Sequence, residues 1–195
     1  MIFIKEYFYM LHRQTVPLDE KNFVTSTTFK PIPSELEKEI NLRHAALLTS
    51  TNRVDADIIE DILYKHLFSN TENENLISFF GFYGFSFSQN KFIMHLFLPC
   101  KIHISLANVA IKFHIFTDYP KGNEININIY CHTNVLFIFA TRVPNWCKNS
   151  LFYVNDTLAE CKVRDGYVYI KRIWQNEDCL RIILSIPHQG LPFLS

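Results

Sequence analysis

The feature that most constrains the fold is a strict alternation of isoleucine and asparagine in the middle of the chain. Ile125, Ile127 and Ile129 alternate with Asn126 and Asn128. Successive side chains of a β-strand point to opposite faces of a sheet. The run therefore predicts a strand with one buried and one solvated face.

Further strands are predicted around this run, in the part of the chain that follows Gly84. The predicted strands are Lys91–Leu98, Ile102–Leu106, Val109–Phe116, Glu124–Tyr130 and Val135–Ala140. Turn signals separate them at 98–99 and 118–123, and another lies at 155–156. Strands of this length at such spacing predict an antiparallel β-sandwich rather than alternating strands and helices.

The chain before Gly84 has a helical period. Ser34 with Glu37, and Thr71 with Glu74, form capping boxes that predict two helix starts, and Asp55 is expected to cap a helix between them. The first helix has the apolar face Leu36, Ile40, Ala45, Leu47 and Leu48. The second has the stripe Ile58, Ile59, Ile62, Leu63 and Leu67.

These patterns predict an α+β fold, in which a short N-terminal helical segment is followed by an antiparallel β-sandwich. The predicted divisions are an irregular segment at 1–33, a helical segment at 34–86 and a sandwich domain at 87–195.

Composition excludes several classes of function. The chain has 19 basic and 19 acidic residues and a pI of about 7.1, so no nucleic-acid partner is expected. The five cysteines are odd in number and contain no CxxC pair, which argues against a disulfide framework or a zinc ribbon. No signal peptide and no membrane-spanning run are predicted, so the expected location is cytoplasmic or unknown.

A series of short motifs lies between Phe137 and Pro187. They read Arg142-Val143-Pro144-Asn145-Trp146, Tyr153-Val154-Asn155-Asp156, Gly166-Tyr167-Val168-Tyr169-Ile170-Lys171-Arg172-Ile173-Trp174 and Glu177-Asp178. Their order resembles the β-sandwich behind the catalytic helical barrel of β-L-arabinofuranosidases, glycoside hydrolase family 127. The segments Ala56–Leu67, Met94–Pro99 and Phe116–Pro120 resemble further parts of that family, so the resemblance covers residues 34–187.

The resemblance implies a retaining glycosidase with a cysteine nucleophile beside a zinc ion, which one glutamate and three cysteines hold. In the family, two of those cysteines stand in a Cys-Cys-Pro-x-Asn run that opens the last barrel helix. The matching junction here, 69–75, has neither cysteine nor proline, and the Glu-x-Cys motif falls near 33–37, where no cysteine follows Glu35. Glu35 is the one carried-over candidate for a metal ligand. We therefore expect no catalytic residues and no zinc cofactor, and we interpret the helical segment as a remnant of the α/α barrel.

Eight residues of the sandwich motifs are interpreted as a structural motif. They are Arg142, Pro144, Trp146, Gly166, Tyr167, Arg172, Trp174 and Asp178. Trp146 could stack on a sugar ring, but Trp146 and Trp174 are expected to fill the core, with Arg142 and Arg172 supporting it through backbone contacts. Tyr153 and Tyr167 are expected to be cross-strand partners.

Two sets of residues could be read as functional sites, one as a metal site and the other as an acid–base site. Cys100 and His103, with His95 and His114 nearby in sequence, could hold a metal, but positions 100 and 103 point to opposite faces of a strand. Asp55, Asp57, Glu60 and Asp61 crowd a helix start, where capping is favoured over acid–base catalysis.

The sequence supports three hypotheses of function. The first is a truncated, glycoside hydrolase-like pseudoenzyme of carbohydrate metabolism, a family fragment without hydrolytic activity. The second is a binding or assembly module, in which open sheet edges, the terminal strand Leu180–Ile186 among them, pair with a partner chain or a second copy. The third is residual hydrolase activity through an unrecognised site. No membrane is expected as a partner, and carbohydrate is implied only by the family resemblance.

Overall fold

The computed structural model describes residues 34–68 and 83–187. Two helices come first, α1 (Ser34–Thr49) and α2 (Arg53–Phe68). The strands that follow are β1 (Phe85–Ser88), β2 (Lys91–Met94), β3 (Cys100–Leu106), β4 (Val109–Thr117), β5 (Glu124–Cys131), β6 (Val135–Arg142), β7 (Ser150–Val154), β8 (Thr157–Leu158), β9 (Lys162–Arg164), β10 (Tyr167–Trp174) and β11 (Asp178–Leu184). The third predicted helix and residues 1–33 lie outside the described residues.

The strands form two sheets. The first sheet has the order β1-β2-β6-β10-β9, and the second has the order β3-β4-β5-β11-β7-β8. Neighbouring strands are antiparallel except β2 and β6, which pair in parallel. The predicted α+β class and the sandwich are confirmed.

The core lies between the two sheets. Ile125, Ile127 and Ile129 of β5 are fully buried, while Asn126 and Asn128 are half-buried on the opposite face, as their alternation predicts. Phe92 stacks on Phe113 from the facing sheet, with ring centroids 4.3 Å apart. Inward-pointing side chains of both sheets therefore interdigitate, as in other sandwiches.

The helices cover the outer face of the first sheet. Ile40 and Leu47 of α1 and Ile59 of α2 are buried in one cluster with Ala140 and Tyr167 of that sheet. Leu48, predicted to share the apolar face of α1, is instead half exposed, and His44 takes an inner position. The outer face of the second sheet is not covered by any of the described residues outside that sheet.

The start of α2 differs from the prediction. Asp55 was expected to be the cap, but Asn52 is the residue that caps the helix, because its Oδ1 accepts a hydrogen bond from the Asp55 amide at 3.0 Å. The Asp55 carboxylate accepts one in return from Asn52 Nδ2 at 2.8 Å. Asp55 is thus the third helical residue of a reciprocal capping pair.

The last described strand is not a sheet edge. β11, which contains most of the predicted terminal strand Leu180–Ile186, pairs with β5 on one side and β7 on the other. The expectation that this strand offers an open edge is wrong. Within the described residues, the outermost strands are β1 and β9 in one sheet and β3 and β8 in the other.

Candidate functional site: a buried ion network between helix and sandwich

Arg142, the last residue of β6, is the centre of a buried ion network. Its side chain is completely buried. The guanidinium donates through Nε to the His95 carbonyl oxygen at 2.8 Å, and its two terminal nitrogens pair with Asp57 Oδ1 and Glu60 Oε1. The predicted backbone contact of Arg142 is therefore present, but it is one of three interactions, and the other two are ionic.

The two carboxylates come from one face of α2. Asp57 and Glu60 are three residues apart, so both side chains point from the helix toward the sandwich. Asp57 also accepts a hydrogen bond from the Asn145 amide at 3.2 Å, in the loop that follows β6. Capping and the helix dipole, which we expected to explain these residues, do not describe their role, because both bind the arginine of the sheet.

Aromatic residues close the network on the remaining sides. The Tyr119 hydroxyl donates to Glu60 Oε1 at 3.1 Å, and the Tyr119 ring packs edge-on against Tyr64 of α2. The Arg142 guanidinium carbon lies 5.4 Å from the centre of the Phe97 ring. An arginine that is fully enclosed in this way has no route to a substrate.

A second hydrogen-bonded chain adjoins the network. His95 contacts Ser86 Oγ through Nε2 at 2.8 Å and the Tyr167 hydroxyl through Nδ1 at 2.7 Å. Tyr167 lies directly opposite Arg142 in the pairing of β10 with β6, so the prediction of a cross-strand role for Tyr167 is confirmed. His95 is thus held between strands and is far from the surface.

Burial sets the protonation of these groups. Burial, with smaller effects of His44 and Arg142, lowers the pKa of His95 to about 3, so the imidazole is neutral. Burial raises the pKa of Glu60, while Arg142 and the Tyr119 hydroxyl oppose that rise. The pKa of Arg142 is itself raised, because Glu60 and Asp57 outweigh the opposite effect of burial. The geometry stabilises an arginine cation between two carboxylates.

The remaining motif residues form a separate cluster at another place in the sandwich. Asp178 is buried and accepts hydrogen bonds from Asn155 Nδ2 at 2.7 Å and from the Gln175 amide at 2.9 Å. Trp174 is fully buried and donates to the Phe137 carbonyl oxygen at 3.3 Å, and Arg172 lies over its ring at 5.2 Å. The core position predicted for Trp174 is confirmed.

Pro144, Trp146 and Gly166 lie near the ion network. Pro144 is buried, and Trp146 is half-buried with its ring parallel to that of Tyr119 at 6.3 Å. A core position is therefore confirmed only in part for Trp146. Gly166 has φ of +76°, and a Cβ there would lie 2.5 Å from the Cβ of Arg53, so glycine is required where the β9–β10 turn meets α2.

The five cysteines of the chain lie among the described residues and are free thiols. Burial raises the pKa of each of the five cysteine thiols, and it raises that of Cys100 to about 12. Cys100 and His103 lie on opposite faces of β3, as predicted. In residues 34–68 and 83–187 no group of three or more His, Cys, Asp or Glu side chains is placed to hold a metal ion. Glu35 is exposed and pairs with Lys38 at 3.3 Å.

Sequence reasoning did not find the partners of Arg142. Asp57, Glu60, His95 and Tyr119 stand in the three segments that resemble the glycosidase family, Ala56–Leu67, Met94–Pro99 and Phe116–Pro120. Each segment contributes one side of the network, and Arg142 comes from a fourth motif. Charged residues inside otherwise apolar motifs were the available signal, because a buried charge requires a partner.

The sandwich matches a known family of domains. Residues 91–187 match the family model of the β-L-arabinofuranosidase GH127 middle domain. The chain is GH127-like. No curated protein matches the sequence.

Solved structures share the fold. A GH127 β-L-arabinofuranosidase from Geobacillus stearothermophilus T6 superposes with a TM-score of 0.69 at 17% identity, over 80% of this chain and 32% of that one. Another GH127 β-arabinofuranosidase gives 0.66 at 18% identity over 76% and 31%, and a glycoside hydrolase gives 0.66 at 13% over 80% and 33%. The GH127-like chain spans about a third of the length of these proteins. Within its described residues no helix is long and apolar enough to cross a membrane.

Proposed function

We propose that this glycoside hydrolase-like chain does not hydrolyse glycosides by itself. Its described helices serve as a cover that is fixed to the sandwich by the Arg142 network. The observation that carries the proposal is the position of the cysteines: all five lie between residues 100 and 179, in the sandwich. The resemblance places the nucleophile and the zinc ligands of the family on or beside barrel helices instead, so a thiolate site of that kind has no counterpart on α1 or α2.

The chemistry of the network supports the same proposal. A retaining glycosidase needs two catalytic groups about 5 Å apart that face the substrate. Asp57 and Glu60 are the paired carboxylates nearest to such an arrangement, yet both bind the buried Arg142. Carboxylates that are bound to a buried arginine hold the helix to the sandwich and do not face a substrate.

The test is the zinc content of the purified chain, measured together with hydrolysis of a chromogenic β-L-arabinofuranoside. We expect neither zinc nor turnover, with an active GH127 enzyme as the positive control. A variant in which all five cysteines are replaced by serine separates contaminating activity from activity of this chain. Stoichiometric zinc together with turnover that this variant loses would overturn the proposal.

A second candidate function is assembly through a sheet edge. The observation that favours it is β3, whose seven residues pair on one side with β4 and with no other strand of the described residues. An open edge of this length can pair with an added strand. Sedimentation of the chain over a wide concentration range tests whether the added strand comes from a second copy.

A further inference from the structure

Four basic side chains form a patch beside the open edge of β3, on the uncovered face of the second sheet. Lys101 lies opposite His114, and His103 lies opposite Lys112, in the pairing of β3 with β4. With Tyr130 of β5 these residues line a shallow depression of about 400 Å³. We call Lys101, His103, Lys112 and His114 the basic patch.

Lys101 and Lys112 supply the positive charge of the basic patch at neutral pH, because burial and the neighbouring lysines lower the pKa of His103 and of His114. None of its four members forms an ion pair with an acidic residue of 34–68 or 83–187. Each lysine lies directly opposite a histidine and disfavours protonation of that imidazole. Glu124 lies on the same outer face of β5, four residues along the strand from Asn128, the partner of His114, which is about 14 Å. An anionic group bound at the patch would pair with the lysines and favour protonation of the histidines.

The spacing of the patch matches an extended peptide. Lys101 and His103 are two residues apart on one face of β3, which corresponds to about 6.8 Å along the strand. A strand added at this edge would present every second side chain on the same face, with the same repeat. Its acidic residues would then lie about 5 Å from the two basic positions of β3, the distance of a cross-strand pair.

We propose that β3 and the basic patch form a docking site for an extended segment of a partner protein in which acidic residues alternate along the strand. The proposal rests on the second candidate function above and specifies its partner. A second copy of this chain fits poorly, because two β3 edges would bring Lys101 and His103 of one copy against the same basic residues of the other. The balanced net charge of the whole chain gives no general attraction for nucleic acid.

The experiment measures binding of a fluorescent peptide, Val-Glu-Val-Glu-Val-Glu-Val, to the full chain by anisotropy. Two control peptides carry the same charge: one groups its three glutamates in the middle, and the other is N-methylated at alternate residues, so that it cannot complete strand pairing. We expect saturable binding of the alternating peptide and at least tenfold weaker binding of both controls.

Matched variants of the chain locate the site. Lys101→Glu should weaken binding of the alternating peptide at least tenfold, whereas Lys162→Glu on the edge strand β9, with the same change of charge, should leave it unchanged. A thermal melt checks that both variants are folded. Equal binding of all three peptides, or of a single-stranded oligonucleotide, would reduce the patch to an unspecific anionic-ligand surface and overturn the proposal.

Absence of peptide binding also overturns the proposal, as does self-association through β3 that Lys101→Glu strengthens. Neither result bears on the zinc and hydrolysis measurements. The two proposals therefore fail separately.

Discussion

This sandwich has two charged regions, the network around Arg142 and the basic patch. Charges are paired with opposite charges in the first region and are unpaired in the second. In the network around Arg142, Arg142 and Glu60 are buried and Asp57 is partly buried, and each charge faces an opposite charge from another element. In the basic patch, two lysines on neighbouring strands each lie opposite a histidine, and they remain at the surface without an acidic partner among the described residues. Compensated, buried charge fixes one element to another, whereas uncompensated, exposed charge is available for a ligand. The comparison separates the part of the molecule that holds the fold from the part that can recognise a partner.

Removing Arg142 should have the largest effect on stability. Arg142→Ala leaves Asp57 and Glu60 as carboxylates without their cation at a buried interface, and breaking a buried pair in this way costs about 3–5 kcal/mol. Urea unfolding should show this loss, while Arg172→Ala, which removes a partly exposed arginine, should cost less than about 1 kcal/mol.

A double variant sharpens this first prediction. When Glu60→Gln is combined with Arg142→Ala, the cost should be smaller than the sum of the two single costs, because the second change removes one of the stranded charges. If the losses of unfolding free energy are additive, Arg142 and Glu60 do not stabilise the chain as a pair. The network would then not differ from the basic patch in having paired charges.

Acidification should destabilise the interface through His95. The pKa of His95 is about 3 in the folded chain and about 6.5 when unfolded, so between these values the unfolded state binds the proton and the folded state does not. Stability is then complete above about pH 6.5 and falls with decreasing pH by about 1.4 kcal/mol per unit, or roughly 2 kcal/mol at pH 5. Chemical unfolding at a series of pH values measures the slope.

The control for this slope removes the His95 imidazole. His95→Gln should reduce the slope in that window, and the slope that remains belongs to groups such as His44, whose pKa burial also lowers. An equal slope in the wild-type chain and the His95→Gln variant would assign the acid sensitivity to other groups.

The turn between β9 and β10 should be less tolerant than the turn before β11. Gly166→Ala places a side chain at φ of +76° and against Arg53, and we expect a loss of about 1–2 kcal/mol. Glu177 already occupies φ of +67°, so Glu177→Gly should raise stability by about 0.5 kcal/mol. Thermal melts of the two variants should shift in opposite directions, and a shared direction would contradict the role given to the Arg53 contact.

Local patterns in the sequence predicted the local structure well. The alternation in β5 gave the buried face correctly, and the turn predicted at 155–156 is present, with φ values of +50° at Asn155 and +61° at Asp156. The predicted strand Lys91–Leu98 was too long, because the side chains from 92 to 98 are all buried and burial alone does not show where the strand ends. β1 was missed altogether although Phe85-Ser86-Phe87-Ser88 alternates apolar and polar residues, because four residues are the shortest run in which this period indicates a strand.

Long-range pairing could not be predicted from the same patterns. Arg142 meets its carboxylates across 82 and 85 positions of the chain, and nothing in the local sequence distinguishes Asp57 from the exposed Asp61 next to it in the helix. The position of β11 inside its sheet is a similar case, because strand order depends on contacts with distant strands. The basic patch was also missed, since its four members come together only through the register of β3 with β4.

The smallest change in stability is expected in the basic patch. His103→Glu places a carboxylate directly opposite Lys112, so a histidine–lysine pair becomes an ion pair. On an exposed strand this change should stabilise the chain by a few tenths of a kcal/mol, about 0.2–0.5. Differential melting against wild type at low salt measures it, and added salt should reduce the gain by screening. The same variant should bind the alternating acidic peptide more weakly, because it loses a basic position of the patch. A chain that gains stability and loses binding through one substitution has its charges arranged for a partner, whereas a loss of both would show that His103 supports the sheet.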